Sequence, residues 1–216
     1  MYQNVIFDLD GTLLNTLEDL KDSTNYALAQ HGYPTRTLEE VRCFVGNGIR
    51  KLIDRAVPDG TSVEKTDKVF ATFREYYATH SRVKTSMYEG MEQVMDALKE
   101  QNISMAIVSN KADDAVKDLA KYYFAKYIDV AIGEREGISR KPAPDSVYEA
   151  MRLLGATKEN TVYVGDSDVD RATAKNAGIP CISVTWGFRS EELLVSLEPE
   201  YLIHKPEEIL SVVTGK

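Results

Sequence analysis

The sequence predicts an α/β protein: a doubly wound parallel sheet, with a small all-helical cap domain inserted after the first strand. Three observations predict it. Five short, β-branched-rich apolar runs, at residues 5–7, 103–108, 130–132, 162–164 and 179–184, read as buried parallel strands. From about Tyr88 onward these runs alternate with segments of helical apolar spacing, the pattern of right-handed βαβ units. Between the first and second runs, residues 15–82 contain no convincing strand.

Taken in order, the first run ends in Phe7-Asp8-Leu9-Asp10-Gly11-Thr12-Leu13, a strand passing into a turn. Helical patterns follow at Leu17, Leu20 and Leu28, then at Ile49, Leu52, Ile53 and Ala56, then at Val69, Phe73 and Tyr77. A crossover between parallel strands needs only a dozen or more residues. The surplus is expected to pack on itself as a cap above the carboxyl edge of the sheet, giving a core of residues 1–14 and 83–216 and a cap of residues 15–82. Met91, Val94, Met95 and Leu98 then mark a helix before the second strand, and Ala115, Val116 and Leu119 one after it. Val147, Met151 and Leu154 mark another, with Pro144 at its start and Gly155 at its end. In such a sheet, ligands bind at the carboxyl ends of the strands.

With 216 residues, 43% hydrophobic and 28% charged, the chain is long enough for one core and a satellite domain. Its net charge of −8, without a Lys/Arg tract, leaves no basic footprint for nucleic acid. A small anionic substrate remains compatible, because a metal ion and a few aimed donors reverse the local potential. Cys43 and Cys181 stand alone, supporting neither a disulfide framework nor a zinc site. No apolar run approaches the ~20 residues that cross a bilayer, and the N-terminus has no basic n-region. The expectation is a cytoplasmic monomer or homodimer with no membrane or nucleic-acid partner.

Four strand ends carry the chemistry. Asp8 and Asp10, two apart in an extended segment, point the same way. They read either as an ordinary strand-to-turn junction or as a metal-binding nucleophile beside an acid/base. Ser109, at the end of the second strand with Asn110 and Lys111, is placed to hold a phosphoryl oxygen or to cap the following helix. Lys141, in Arg140-Lys141-Pro142-Ala143-Pro144, is either a point charge against phosphate and carboxylates or a solvated loop lysine. Arg140 is assigned no role. Asp166 and Asp170 share a face if a helix begins there, for dipole complementation or for Mg²⁺, which takes a few carboxylates and keeps waters and substrate oxygens.

In this order, Asp8-x-Asp10-Gly11-Thr12, Ser109, Lys141-Pro142 and Gly165-Asp166-Ser167-x-x-Asp170 resemble the four-motif signature of the haloacid dehalogenase superfamily, with its Rossmann-like core, over residues 4–184. An Asp at position 10 resembles the phosphoryl-transfer members and not the dehalogenases. The insertion after the first motif looks like the helical cap of the phosphoglycolate phosphatase-like subgroup. Its segment 45–52, with Asn47, Gly48 and Arg50, is similar to the glycine-rich turn and helix of those caps. Asn15-Thr16 departs from the acid that many relatives carry before Ser or Thr.

The resemblance implies a small phosphate ester as substrate, Asp8 as nucleophile through an aspartyl-phosphate, and Asp10 as general acid and then base. It implies Mg²⁺ held by Asp8, the Asp10 carbonyl and Asp166, with Asp170 as ligand or orienter. Ser109 and Lys141 would hold the phosphoryl oxygens, with Asn110, Gly11 and Thr12 beside them. The cap would move about hinges near Asn15 and Arg82 and select the substrate through Asn47, Gly48 and Arg50, the arginine meeting a second anionic group. Phosphoglycolate, pyrophosphate, sugar phosphates and nucleotides all compete as substrates, as does a phosphomutase of the β-phosphoglucomutase type. His31, His80 and His204 fall in no ligand spacing, and Trp186 with Phe188 is expected to pack a loop near the sheet's carboxyl edge.

Overall fold

A computed structural model of the chain describes residues 1–128 and 130–215. Among them the strands, in chain order, are β1 Asn4–Phe7, β2 Leu14–Asn15, β3 Ser86–Met87, β4 Ser104–Ala112, β5 Val130–Glu134, β6 Thr161–Gly165, β7 Cys181–Val184 and β8 Tyr201–Ile203. The helices are α1 Leu17–Gln30, α2 Leu38–Phe44, α3 Ile49–Ala56, α4 Val63–His80, α5 Met91–Glu100, α6 Asp113–Tyr123, α7 Asp145–Leu154, α8 Asp168–Ala177, α9 Glu191–Ser196 and α10 Glu208–Thr214. The chain divides into two compact units, Met1–Leu14 with Met87–Lys216, and Asn15–Ser86.

The larger unit is built on a sheet of order β5-β4-β1-β6-β7-β8, parallel at every pairing. Side chains alternate between its two faces, and both faces are covered. Val5, Phe7, Ile107, Val162 and Val164 face one core, with Met91, Val94 and Leu98 of α5 and Val116 and Leu119 of α6. Ile6, Ala106, Val108 and Tyr163 face the other, with Val147 and Ala150 of α7 and Ala174 and Ala177 of α8. Successive strands leave β1 in opposite directions, so the carboxyl ends of β1, β4 and β6 meet where the strand order reverses.

Two differences from the sequence reading stand out. Strand β8, Tyr201–Ile203, was not expected: its three apolar residues are isolated at the sheet edge, two of them only half-buried, and lack the β-branched richness of the other runs. Strand β4 runs on to Ala112, past the apolar run that ends at residue 108 and through the expected strand end at Ser109-Asn110-Lys111, with a register shift between Val108 and Ala112. Its extension is polar, Ser109-Asn110-Lys111, yet all three residues are buried.

The smaller unit is helical, and α1 packs on α4 through the buried stripes Leu17, Leu20, Ala27, Leu28 and Val69, Phe73, Tyr77. Thr37 and Glu40 close a capping box at the start of α2, and Ser62 caps α4. The unit extends to Ser86 where the spacing pattern stopped at residue 82. The reason is Asp19 on α1, whose buried carboxylate accepts from the backbone of Lys84 and from the backbone and hydroxyl of Thr85. Strands β2 and β3 form a separate two-stranded sheet. Among the described residues no helix is long and apolar enough to cross a membrane.

Candidate active site

Asp8 directly follows β1, and its backbone N–H continues the ladder by donating to the Val164 carbonyl at 2.9 Å. The turn beyond it passes through Gly11 at φ +91°, a left-handed conformation that suits glycine. A Cβ at Gly11 would also overlap the Asp166 carboxylate. The next residue, Thr12, donates its hydroxyl to Asp166 Oδ1 at 3.3 Å.

Lys141 lies at the centre. Its buried ammonium donates to Asp8 Oδ1 at 2.8 Å, Asp170 Oδ1 at 2.8 Å, the Tyr163 hydroxyl at 2.9 Å and the Val108 carbonyl at 3.2 Å. It is an interior cation, not a solvated loop lysine. Burial alone would depress its pKa, but Asp170 and Asp8 outweigh that and hold it well above the ordinary lysine value. Tyr163 donates in turn to Asp170 Oδ1 at 3.0 Å, and burial holds its phenol well above the usual range.

Asp166 ends up beside Asp8 by a different route from the one its spacing suggested. Helix α8 begins at Asp168, with Ser167 as N-cap, so Asp166 lies on the strand side of the turn and shares no helix face with Asp170. Asp170 is instead the partner of Ser167 in a capping box, accepting the Ser167 hydroxyl and backbone N–H. The missing side chain of Gly165 is the space that Asp170 fills. The Asp166 carboxylate also accepts from the Phe188 N–H at 2.7 Å. Trp186 ties the same loop down, its indole N–H donating to the Thr12 carbonyl at 3.1 Å.

One ligand atom from each of Asp8, Asp166 and Asp170 lies within 4.8 Å of the others, all three residues buried. Burial, then the neighbouring Asp170, pushes the Asp166 carboxyl up to about 7 against the opposing Phe188 N–H, Arg189 and Lys141. The same two causes raise Asp8 well above the ordinary carboxylate range, Lys141 only partly opposing them. Asp8 and Asp170 meet the Lys141 ammonium and Asp166 lies beside them, so with all three carboxylates ionised the cluster carries three negative charges against one positive, an excess of two. Oxygen donors with that excess suit a hard divalent cation.

Other expected residues take different places. The carboxylate of Asp10 is not in the acidic cluster; Oδ1 accepts from the ammonium of Lys111 at 2.8 Å. Ser109 does not cap α6, whose N-cap is Ala112; its hydroxyl accepts from the Lys111 N–H at 3.2 Å. Asn110, expected among the phosphate-binding residues, turns its amide onto the main chain of Lys141. In the smaller unit, Asn47 accepts from Arg55 at 2.9 Å and Gly48 precedes α3 at φ +82°. Arg50, expected to meet a substrate anion, is paired with Asp54 at 2.8 Å and with Asp67. His31 hydrogen-bonds Thr72 and His80 stacks on Tyr76, while His204 contacts Thr185.

Sequence reasoning missed Lys111, Tyr163 and Gly187. Lys111 was within reach, since it follows Ser109 by two residues at a strand end, the spacing that singled out Asp8 and Asp10. Tyr163 left a weaker signal, a phenol inside a buried strand that needs a partner for its hydroxyl. Gly187 left none, because the side chain it makes room for, Asp166, is distant in sequence.

A family profile described as haloacid dehalogenase-like hydrolase matches residues 5–184. Phosphoglycolate phosphatase 1 of Pseudomonas aeruginosa is 32% identical over 212 residues, covering 95% of this chain and 78% of the relative. Pyrophosphatase PpaX of Halalkalibacterium halodurans is 30% identical over 215 residues, covering 98% and 97%. A crystal structure from Lactobacillus delbrueckii subsp. bulgaricus superposes with a TM-score of 0.94 at 32% identity, over 100% of this chain and 99% of that one. With the sheet order, the acidic cluster and these matches in agreement, the chain belongs to the haloacid dehalogenase-like hydrolases.

Proposed function

We propose that the protein is a magnesium-dependent phosphatase that hydrolyses a small-molecule phosphate monoester through an aspartyl-phosphate on Asp8. The observation that carries it is Asp8 itself: a buried carboxylate at a strand end, clustered with Asp166 and Asp170 and sharing one ammonium with Asp170. An Asp8 oxygen forms a bond to phosphorus as the ester oxygen leaves with a proton from Asp10. Asp10 then takes a proton from water, whose oxygen attacks phosphorus and returns Asp8 as a carboxylate. Lys141 balances charge on Asp8, and Ser109 and Lys141 serve the phosphoryl oxygens. Asp8, Asp166, Asp170 and the Asp10 carbonyl would hold Mg²⁺, whose chemistry is to screen Asp8 from the phosphate it must approach.

Relatives named phosphoglycolate phosphatase and pyrophosphatase support two substrates in particular, 2-phosphoglycolate first and pyrophosphate second. Substrate choice belongs to the helical unit, with Asn47, Gly48 and Arg50 as its candidates. The test is a Mg²⁺-supplied panel of 2-phosphoglycolate, pyrophosphate, sugar phosphates and nucleoside monophosphates, ranked by kcat/KM beside Asp8→Asn. We expect one class to dominate, and turnover to vanish in Asp8→Asn while its thermal unfolding stays near that of the parent. Wild-type turnover in Asp8→Asn would overturn the proposal.

A further inference from the structure

We propose that Lys111 is a positioning residue for the acid/base step, holding the Asp10 carboxylate in its working orientation, an inference that rests on the phosphatase reading above. Three observations support it. First, the Lys111 ammonium lies 2.8 Å from Asp10 Oδ1 across 101 positions of sequence, so the pair ties the end of β4 to the turn after β1. Second, the exposure is lopsided: the Lys111 side chain is 3% exposed and that of Asp10 20%. Of the pair, the aspartate is therefore the more accessible member, as the group that must meet substrate and water has to be. Third, the Lys111 backbone N–H donates to the Ser109 hydroxyl at 3.2 Å, so the same residue sets two groups of the site.

A buried ion pair is a poor source of net stability, since desolvating both charges cancels most of their attraction. Its better-supported use is orientation. A carboxylate that must deliver a proton to one oxygen and later remove one from water has to stand within hydrogen-bond reach of both, and a free χ rotation would spoil that. Lys141 cannot do this work, because its ammonium is engaged by Asp8, Asp170, Tyr163 and the Val108 carbonyl. Each of the two acids of the first motif thus has its own ammonium, Lys141 for the nucleophile and Lys111 for the proton carrier.

The leaving group provides the test. The first half-reaction, read by kcat/KM, needs Asp10 only when the departing oxygen is a strong base. An alkyl phosphate such as 2-phosphoglycolate needs the proton, whereas p-nitrophenyl phosphate departs as a stable phenolate without it. In Lys111→Met we expect kcat/KM to fall about 100-fold for the alkyl ester, in the range a general acid contributes, and less than about 5-fold for the nitrophenyl ester. Asp10→Asn should show the same selective loss, and Asp10→Asn with Lys111→Met together should be little worse than Asp10→Asn alone. Lys111→Arg, which keeps the charge, should recover part of the alkyl-ester rate and covers the case in which Lys111→Met folds poorly.

Equal losses on both esters, or a double variant with multiplied losses, would mean a general structural or substrate-binding role and would overturn the inference. So would an unchanged alkyl-ester rate. These outcomes are separable from failure of the phosphatase reading, which would appear as a parent enzyme inert to both esters or an active Asp8→Asn; either removes both proposals together.

Discussion

The side chain of Asn110 grips Lys141 by both polar atoms of its main chain, Oδ1 accepting from the Lys141 N–H at 2.9 Å and Nδ2 donating to its carbonyl at 3.1 Å. The amide thereby fixes where the Lys141 side chain begins, and the ammonium at its far end reaches Asp8 and Asp170. Asn110→Ala leaves a buried N–H and C=O without these partners, a cost of about 1–3 kcal/mol. The expected result is a lowered denaturant midpoint together with a kcat about 10–100-fold down, the loss that a misplacement of about 1 Å in a catalytic group produces. Parent-like kcat in a variant destabilised to that extent would show that Lys141 needs no such anchor.

The raised carboxyl of Asp166 predicts how stability follows pH when no divalent ion is bound. A carboxyl at about 7 in the folded protein, against an ordinary value of 3.8, keeps its proton folded after the unfolded chain has released it. Between those values the folded state binds more protons, so stability falls as pH rises and the loss is complete above about 7. In EDTA the melting temperature should fall from pH 5 to pH 8, and added Mg²⁺ should raise it more at pH 8 than at pH 5. Asp166→Asn should flatten the EDTA profile and shrink the Mg²⁺ response. A profile in EDTA that rises across this interval in the parent, or is equally steep in Asp166→Asn, would contradict the assignment.

What the sequence makes legible here is governed by how local the cause is. The strand that delivers Asp8 follows from the apolar run at residues 5–7 alone, whereas Asp8 and Asp10, both beyond its end, meet different ammonium groups that the run does not announce. Gly155, left-handed at the end of α7, follows from helix termination. Asp166 joins the acidic cluster for a different local reason from the one its spacing suggested, since a strand end places it and not a helix face. Lys111 and Tyr163 acquire their meaning only from partners on other strands: Asp10 for one, Lys141 and Asp170 for the other. Their burial reflects pairing, and pairing across the sheet is what composition and periodicity do not encode.

Asp19 predicts a stability effect remote from the acidic cluster in sequence. Its carboxylate gathers three donors, the Lys84 N–H, the Thr85 N–H and the Thr85 hydroxyl, at distances of 2.8 to 3.0 Å. Hydrogen bonds to a charged acceptor contribute about 1.5–3 kcal/mol each, and removing the carboxylate gives back much of that by removing the desolvation cost of burying its charge. Asp19→Ala should therefore lower unfolding stability by about 2–4 kcal/mol, whereas Asp22→Ala, whose carboxylate meets Lys84 and Lys21 at the surface, should cost no more than about 1 kcal/mol. Hydrogen exchange should show the Lys84 and Thr85 amides losing protection in the first variant and keeping it in the second. Equal stability losses in the two variants would refute the distinction.

Gly187 makes room for Asp166, and that gives a mutation whose effect on the metal site should exceed its effect on the fold. A Cβ at position 187 would fall inside the van der Waals shells of the Asp166 Cβ, Cγ and Oδ2. The backbone there is not left-handed, so the penalty of alanine is steric and directed at one side chain. Asp166 can yield only by leaving the hydrogen bond from the Phe188 N–H or by retreating from Asp8 and Asp170. Gly187→Ala should cost about 1–3 kcal/mol of stability, the usual range for overpacking. The Mg²⁺ concentration for half-maximal activity should rise about 10–100-fold, as when a group orienting a metal ligand is lost. Titrating activity against Mg²⁺ at a temperature well below the variant's melting point separates the two effects. An unshifted titration would show that Asp166 keeps its place by some other movement, and that the glycine serves the loop and not the ion.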